Sequence, residues 1–174
     1  MILGLFPCFG CTNNDRISNE ITELMHRQIV FDDGYKEYTC KSEYRIDELL
    51  KHRFKIVVYL GEISCSSCGQ KTIEIWQREV KKIDENVPLV LILRTNDSSK
   101  IEEMMDCLNL EYPVMSYDSD VFEIQNNLQG KLARNQTFLL DKDNKVVLVG
   151  EPLGREKLTE LYRKCIRTLT SIDK

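Results

Sequence analysis

The chain has only two histidines, four prolines, eight glycines and one tryptophan among its 174 residues. Each shortage removes a class of structure. A zinc site needs about four ligands, usually a second C-x-x-C or a histidine pair; His26 and His52 make no such pair, and the other two cysteines at that spacing, Cys8 and Cys11, belong to the apolar N-terminal segment. No metal and no bound cofactor is therefore expected. Neither histidine lies in a Ser-His-Asp type of motif. So few prolines and glycines leave little room for long flexible linkers, and no internal repeat or low-complexity tract is present. No run reaches the roughly 18 apolar residues that span a bilayer. An excess of positive charge is missing as well. With a net charge of −4 and a pI near 5.3, and with Lys81 and Lys82 read as solvated helix faces, no nucleic-acid partner is expected.

What is present is 42% hydrophobic and 30% charged residues, which fits one domain with a substantial core and a short appendage. The chemistry concentrates at Ser64-Cys65-Ser66-Ser67-Cys68. This C-x-x-C follows an apolar run over 55–61 and opens a helical pattern over 72–83. A cysteine at a helix N-terminus sits beside unpaired backbone N–H groups and the positive end of the helix dipole, which favour the thiolate. Only the thiolate attacks a disulfide, and a spacing of three lets Cys68 resolve a mixed disulfide formed at Cys65. The pair is expected to cycle between dithiol and disulfide. Two other readings stay open: a static disulfide, and two reduced cysteines on a scaffold that has lost its chemistry. Glu62 is the nearest carboxylate in sequence and is read either as a base or as a solvated side chain.

The chain begins with an apolar decamer, Met1 to Gly10, then Cys11 and a polar segment. That order reads as the tail of a bacterial lipoprotein signal, with Cys11 as the lipidated residue. Cys8 is the poorer acceptor because Pro7 precedes it. No Lys or Arg precedes Arg16, and ten residues are short for a signal with its charged and apolar regions; the other reading is an ordinary apolar N-terminus. An acylated Cys11 would anchor the domain to a membrane. The expected division is a signal remnant or tether over 1–17, an extension over 18–54 with a short helix, a weak strand and a helix, and the main domain over 55–174. Cys165 and Cys107 each adjoin apolar helical faces and are read as small core residues; Cys40 is assigned no role.

Taken in order, a short amphipathic helix is expected over 17–28, where Ile17, Ile21, Leu24 and Met25 recur at helical spacing. Asp32-Asp33-Gly34 signals a turn, followed by a weak strand over 35–40 and a helix over 44–53. The runs over 55–61 and 88–94 read as strands buried on both faces of a parallel sheet. Between them a helix over 66–84 buries Ile73, Trp76, Val80 and Ile83. Asp97-Ser98-Ser99 offers an N-cap for a helix over 100–108. A strand over 112–117, a short helix over 118–127, a hairpin of 137–141 and 145–149, and a final helix over 155–170 complete the chain. Its apolar face is read as Leu158, Leu161, Tyr162, Cys165 and Leu169. This alternation gives a central sheet with helices on both faces.

That order, with Gln136-Thr137-Phe138-Leu139-Leu140-Asp141-Lys142-Asp143-Asn144-Lys145 in the hairpin, resembles the thioredoxin superfamily over residues 56–169. It is most similar to redoxin-type membrane-anchored lipoproteins of bacteria. The resemblance implies a three-layer α/β/α fold with a central mixed sheet and a peroxiredoxin-type strand-helix insertion between residues 98 and 127. It implies Cys65 as the attacking thiol and Cys68 as the resolving one, with Ser64, Ser66, Ser67, Glu62, Gln136 and Thr137 near the site.

Three positions depart from the pattern. Gln136 stands where most thioredoxins place a cis-proline; a cis bond before a non-proline residue costs about 2.5 to 4 kcal/mol, so a trans bond is expected, with the Gln136 amide a candidate to lie beside the sulfurs. Ser64 stands where Trp is common, and Tyr59 where many members carry a buried carboxylate. The function expected is a thiol:disulfide oxidoreductase of the bacterial envelope, facing the periplasm. Its partners would be a protein or small-molecule disulfide, an upstream redox protein, and the membrane through a lipid anchor. The alternatives are a noncatalytic thioredoxin-fold lipoprotein that binds an envelope partner, and a thiol peroxidase, for which no proline precedes the motif and Arg134 lies one residue off the peroxidase pattern.

Overall fold

The computed structural model describes residues 13–39, 42–62, 66–106 and 110–172; of residues 13, 66, 106 and 172 it describes the backbone alone. Six strands form one mixed sheet. They are β1 (Lys36–Tyr38), β2 (Lys55–Glu62), β3 (Leu89–Arg94), β4 (Val114–Tyr117), β5 (Thr137–Leu140) and β6 (Val146–Val149), ordered β1-β4-β3-β2-β5-β6. β2, β3 and β4 run parallel. Their burial follows from being central: every residue of β3 from Leu89 to Leu93 is at most 2% exposed, as a continuous apolar strand must be when helices cover both faces. β1 closes one edge antiparallel to β4, and the β5–β6 hairpin lies antiparallel beside β2.

Six helices cover the sheet: α1 (Asn13–Leu24), α2 (Ile46–Leu50), α3 (Ser66–Ile83), α4 (Ser98–Asp106), α5 (Val121–Gln125) and α6 (Glu156–Ile172). α3 joins β2 to β3 and α4 joins β3 to β4, so these are two consecutive parallel crossovers, which place their helices on one face when both take the usual right hand. α3 packs against both α4 and α6. Its buried face is Ile73, Trp76, Val80 and Ile83, the set that the 3.6-residue period picks out. Gln70 donates its side-chain N–H to the Met104 carbonyl on α4, and Arg163 of α6 donates to the Lys82 carbonyl at the C-terminal end of α3. That bond satisfies a helix-end acceptor and supplies the positive charge that a helix C-terminus favours.

The strand-helix insertion is present: α4 and β4 extend the sheet beyond β3. The segment 18–54, expected as an extension, contributes to the same core. β1 is a strand of the one sheet, and Leu24, Ile29, Ile46 and Leu49 are buried with the strands. Backbone bonds from His26 to Val146, from Val146 to Arg27 and from Ile29 to Asn144 lay this segment along the outer edge of β6, covering what is otherwise an open strand edge.

Three expectations are corrected. The first helix begins four residues earlier than expected and ends at Leu24. His26 adopts φ 64°, the left-handed geometry that stops a helix. At its other end the carboxylate of Glu20 accepts from the Leu132 N–H and Asn135, and Arg16 donates to the Gly130 carbonyl, so tertiary bonds hold its first turns. The helix expected over 44–53 is one short turn and more, Ile46–Leu50, with Ile46 and Leu49 buried. On α6 the buried face is Tyr162 and Ile166, flanked by the half-buried Leu158, Cys165 and Leu169, whereas Leu161 is exposed. Tyr162 fixes that rotation by donating its hydroxyl to the Gly150 carbonyl.

Candidate active site at the end of the parallel strands

β2 ends where α3 begins, at the carboxyl ends of the parallel strands. In open α/β sheets that edge is where ligands and reactive groups collect. Cys68 lies in the first turn of α3 and is exposed, as is Ser67. The Cys68 carbonyl accepts a bond from the Thr72 hydroxyl, an ordinary in-helix contact. No acidic residue occupies the first turn of α3. Ser64 and Cys65 lie outside the described residues, as do Cys8, Cys11, Cys40 and Cys107 and the side chain of Ser66.

Gln136 and Thr137 reach the same edge from the hairpin. Thr137 is buried opposite Val58 in the β2–β5 register, and the Tyr59 N–H donates to the Gln136 carbonyl. The ladder between these strands thus runs as far as Tyr59, three residues before the end of β2. No peptide bond among the described residues is cis. The Gln136 amide nitrogen donates to the carbonyls of Leu128 and Lys131. The side chain ties down the loop before the strand by bridging two of its carbonyls, of which that of Leu128 also accepts the Lys131 N–H.

Beneath this edge lies a polar network that the sequence reading did not find. Tyr59, 4% exposed on β2, donates its hydroxyl to Glu123 of α5. Arg94, at the end of β3, lies 3.4 Å from the same Glu123 carboxylate and 3.1 Å from Glu62. Glu62 itself is solvated at the end of β2, its side chain 68% exposed. A carboxylate therefore stands next to position 59 after all, supplied from another element. Burial first, and then the hydrogen bond and charge of Glu123, push the Tyr59 phenol well above its usual pKa. Burial works against the Arg94 charge, but Glu123, Tyr59 and Glu62 outweigh it and hold its pKa up. The one sequence signal was indirect: a tyrosine in a buried strand needs a partner for its hydroxyl. Which residue answers it was set by the path of the chain after β4.

The Tyr59 ring packs at 5.3 Å on Phe122, which stacks at 5.5 Å on Tyr117. These contacts seat α5 against the sheet and so position Glu123. No cluster of three or more metal-ligating side chains occurs among the described residues.

Neither a family model nor a curated protein matches the chain. Solved structures do. A mitochondrial 2-Cys peroxiredoxin from Plasmodium falciparum superimposes with a TM-score of 0.54 at 16% identity, over 85% of this chain and 97% of that one. A thioredoxin-like protein in its oxidised form gives 0.53 at 11% identity, over 83% and 96%. The fold is thioredoxin-like. In its terms, β2 and α3 are the strand and helix that flank the C-x-x-C, β5 and β6 the closing hairpin, and α4 with β4 the inserted unit. Such low identity speaks for the architecture alone.

Proposed function

We propose that the chain is a thiol:disulfide oxidoreductase that works through Cys65 and Cys68. The observation that carries this reading is the exposed Cys68 in the first turn of α3, at the carboxyl edge of the parallel strands of a thioredoxin-like fold. The Cys65 thiolate attacks one sulfur of a partner disulfide, forming a mixed disulfide and releasing the partner's other sulfur as a thiolate. Cys68 then attacks Cys65, closing the intramolecular disulfide and releasing the reduced partner. An upstream dithiol protein returns two electrons to the pair. Ser64, Ser66 and Ser67 neighbour the pair in sequence and add no charge, and Gln136 and Thr137 lie at the start of the hairpin strand that pairs with β2.

We further propose a place in the bacterial envelope, with Cys11 acylated and the domain facing the periplasm. The apolar decamer before Cys11 supports it. No helix among the described residues is long and apolar enough to cross a membrane. Mass spectrometry of membrane-extracted protein should show a chain beginning at acylated Cys11; an unmodified Met1 in the soluble fraction removes both the anchor and the location.

The deciding experiment is a redox titration of the protein, trapping Cys65 and Cys68 thiols in glutathione and dithiothreitol buffers. A reversible two-electron transition within about −270 to −120 mV is expected, the span of exchanging dithiols. A pair still oxidised below about −300 mV would behave as a structural disulfide, and a protein whose function is unchanged in Cys65→Ser would be a noncatalytic binding module.

A further inference from the structure

At the start of β2, a strand about 23 Å long at a rise of roughly 3.3 Å per residue, a groove of about 330 Å³ opens beside the β5–β6 turn. It has two kinds of wall. Phe54, Val147 and Leu169 supply an apolar floor, with Phe54 only 7% exposed. Among the described residues that line it, Arg53, Lys142 and Lys145 supply three positive charges against one negative, Asp141. In a protein of net charge −4, that is a local reversal of sign.

One of these charges, that of Arg53, is held in place by the fold. Arg53 lies 5.5 Å over the Phe54 ring and donates to the Leu169 carbonyl at 2.8 Å, so the guanidinium is spread along the apolar floor. Lys142 and Lys145 flank the hairpin turn, are exposed, and form no ion pair among the described residues. Asp141 is committed to the turn: its carboxylate accepts the N–H groups of Asp143 and Lys145 at 2.9 Å each. Its charge also faces the buried Lys55 ammonium, which donates to the Asp141 carbonyl. Two unpaired lysines thus stand at the mouth of a greasy slot that a stem alone would not need.

We propose that this groove binds a small amphiphilic anion, a carboxylate or similar singly charged group on a short hydrocarbon body. The anionic group sits between Lys142 and Lys145, and the hydrocarbon lies over Phe54, Val147 and Leu169. The volume falls at the lower end of the range of about 300–1,000 Å³ typical of small-molecule sites. An anion without the hydrocarbon leaves the floor wet, and an alcohol without the charge leaves the lysines unpaired; only the combination satisfies both walls. Because the groove lies at the opposite end of the sheet, its occupancy is independent of the redox pair.

The test uses the full chain and decanoate below its micelle concentration, followed by amide resonances. Saturable binding is expected, with shifts gathered at Phe54, Lys145, Val147 and Leu169. Decanol and inorganic phosphate are each expected to bind at least tenfold more weakly. Lys142→Glu with Lys145→Glu should weaken decanoate at least tenfold while leaving urea unfolding and the redox titration unchanged. Phosphate as tight as decanoate would overturn the proposal in favour of a bare anion site, and decanol as tight would overturn it in favour of an apolar slot. Binding to phosphatidylglycerol vesicles with none to monomeric decanoate would overturn it in favour of a membrane-facing surface.

Discussion

Tyr59, Glu123 and Arg94 meet from three elements, β2, α5 and β3, and their mutual dependence makes their substitutions unequal. Tyr59→Phe leaves Glu123 paired with Arg94, so the loss is one hydrogen bond, about 1 kcal/mol. Glu123→Ala leaves a buried hydroxyl without an acceptor and Arg94 with one partner fewer, and should cost about 2–3 kcal/mol. Urea denaturation at pH 7 measures both. Equal losses would mean that Glu123 acts only through Tyr59 and that its contact with Arg94 contributes nothing.

Lys55 is the second residue whose surroundings predict a measurement. It begins β2 fully buried, donating to the carbonyls of His52 and Asp141. Burial, opposed by Asp141 and Asp143, lowers its pKa to about 8. Between pH 8 and the usual 10.5 the unfolded chain keeps the proton that the folded one has released, so stability rises with pH across that window and the penalty is constant below it. The difference in unfolding free energy between wild type and Lys55→Met should move by about 2 kcal/mol in favour of wild type from pH 8 to pH 10. The buried tyrosines are common to both proteins and cancel. A flat difference would place the ammonium in water.

At the scale of elements, α1 is held by Glu20 as well as by Leu24, the fully buried residue of its apolar stripe. Ile17, Ile21 and Met25 are only half-buried, whereas Glu20 is 8% exposed and receives three donors, the Leu132 N–H, Asn135 and Arg16. Burial alone would raise its pKa, but those three bonds outweigh it and the carboxyl titrates below its usual value. Its contribution is therefore fully present above the unfolded pKa and is lost as pH falls through the lowered folded one. Glu20→Ala should cost about 2 kcal/mol at pH 7 and abolish the protection of α1 amides in hydrogen exchange, leaving the protection of β3 nearly unchanged. Loss of protection in both would mean that α1 and the sheet open as one unit.

The same scale shows where pattern reading succeeds. β2, β3, α3 and the hairpin were legible because each is periodic or continuously apolar and is flanked by turn residues; Asn144, at φ 60°, sits in the turn as its type allows. α2 and α5, each five residues long, were read too long, since an apolar pair in a short turn looks like part of a longer face. Leu161 was misplaced for a related reason. Helical spacing of apolar residues defines a stripe about 100° wide, and a single hydroxyl bond from Tyr162 selects which edge of that stripe is buried.

Across the whole molecule, one core runs from Leu24 to Ile166, and residues 24–49 share it with every strand. Unfolding in urea followed by Trp76 fluorescence and by far-ultraviolet circular dichroism should therefore give coincident transitions; Trp76 is 1% exposed at the α3–sheet interface. An early transition seen only by dichroism would show that the first 50 residues form a separate cooperative unit.

The amino-acid sequence determined the strand and helix order, the buried face of α3 and the C-x-x-C at its start, because these depend on local periodicity and on residues adjacent in the chain. Tertiary structure alone decided that β1 joins the sheet edge, that Gln136 binds the 128–131 loop, and that Glu123 and Arg94 meet Tyr59. It also brought Arg53, the hairpin lysines and Leu169 to one groove. Arg94 and Glu123, Tyr59 and Glu123, and Arg53 and Leu169 are 29, 64 and 116 positions apart, and nothing in a one-dimensional pattern encodes which distant partner will satisfy a buried polar atom. That choice follows from the packing of the whole chain, where an unpaired buried group is costly enough to fix its partner.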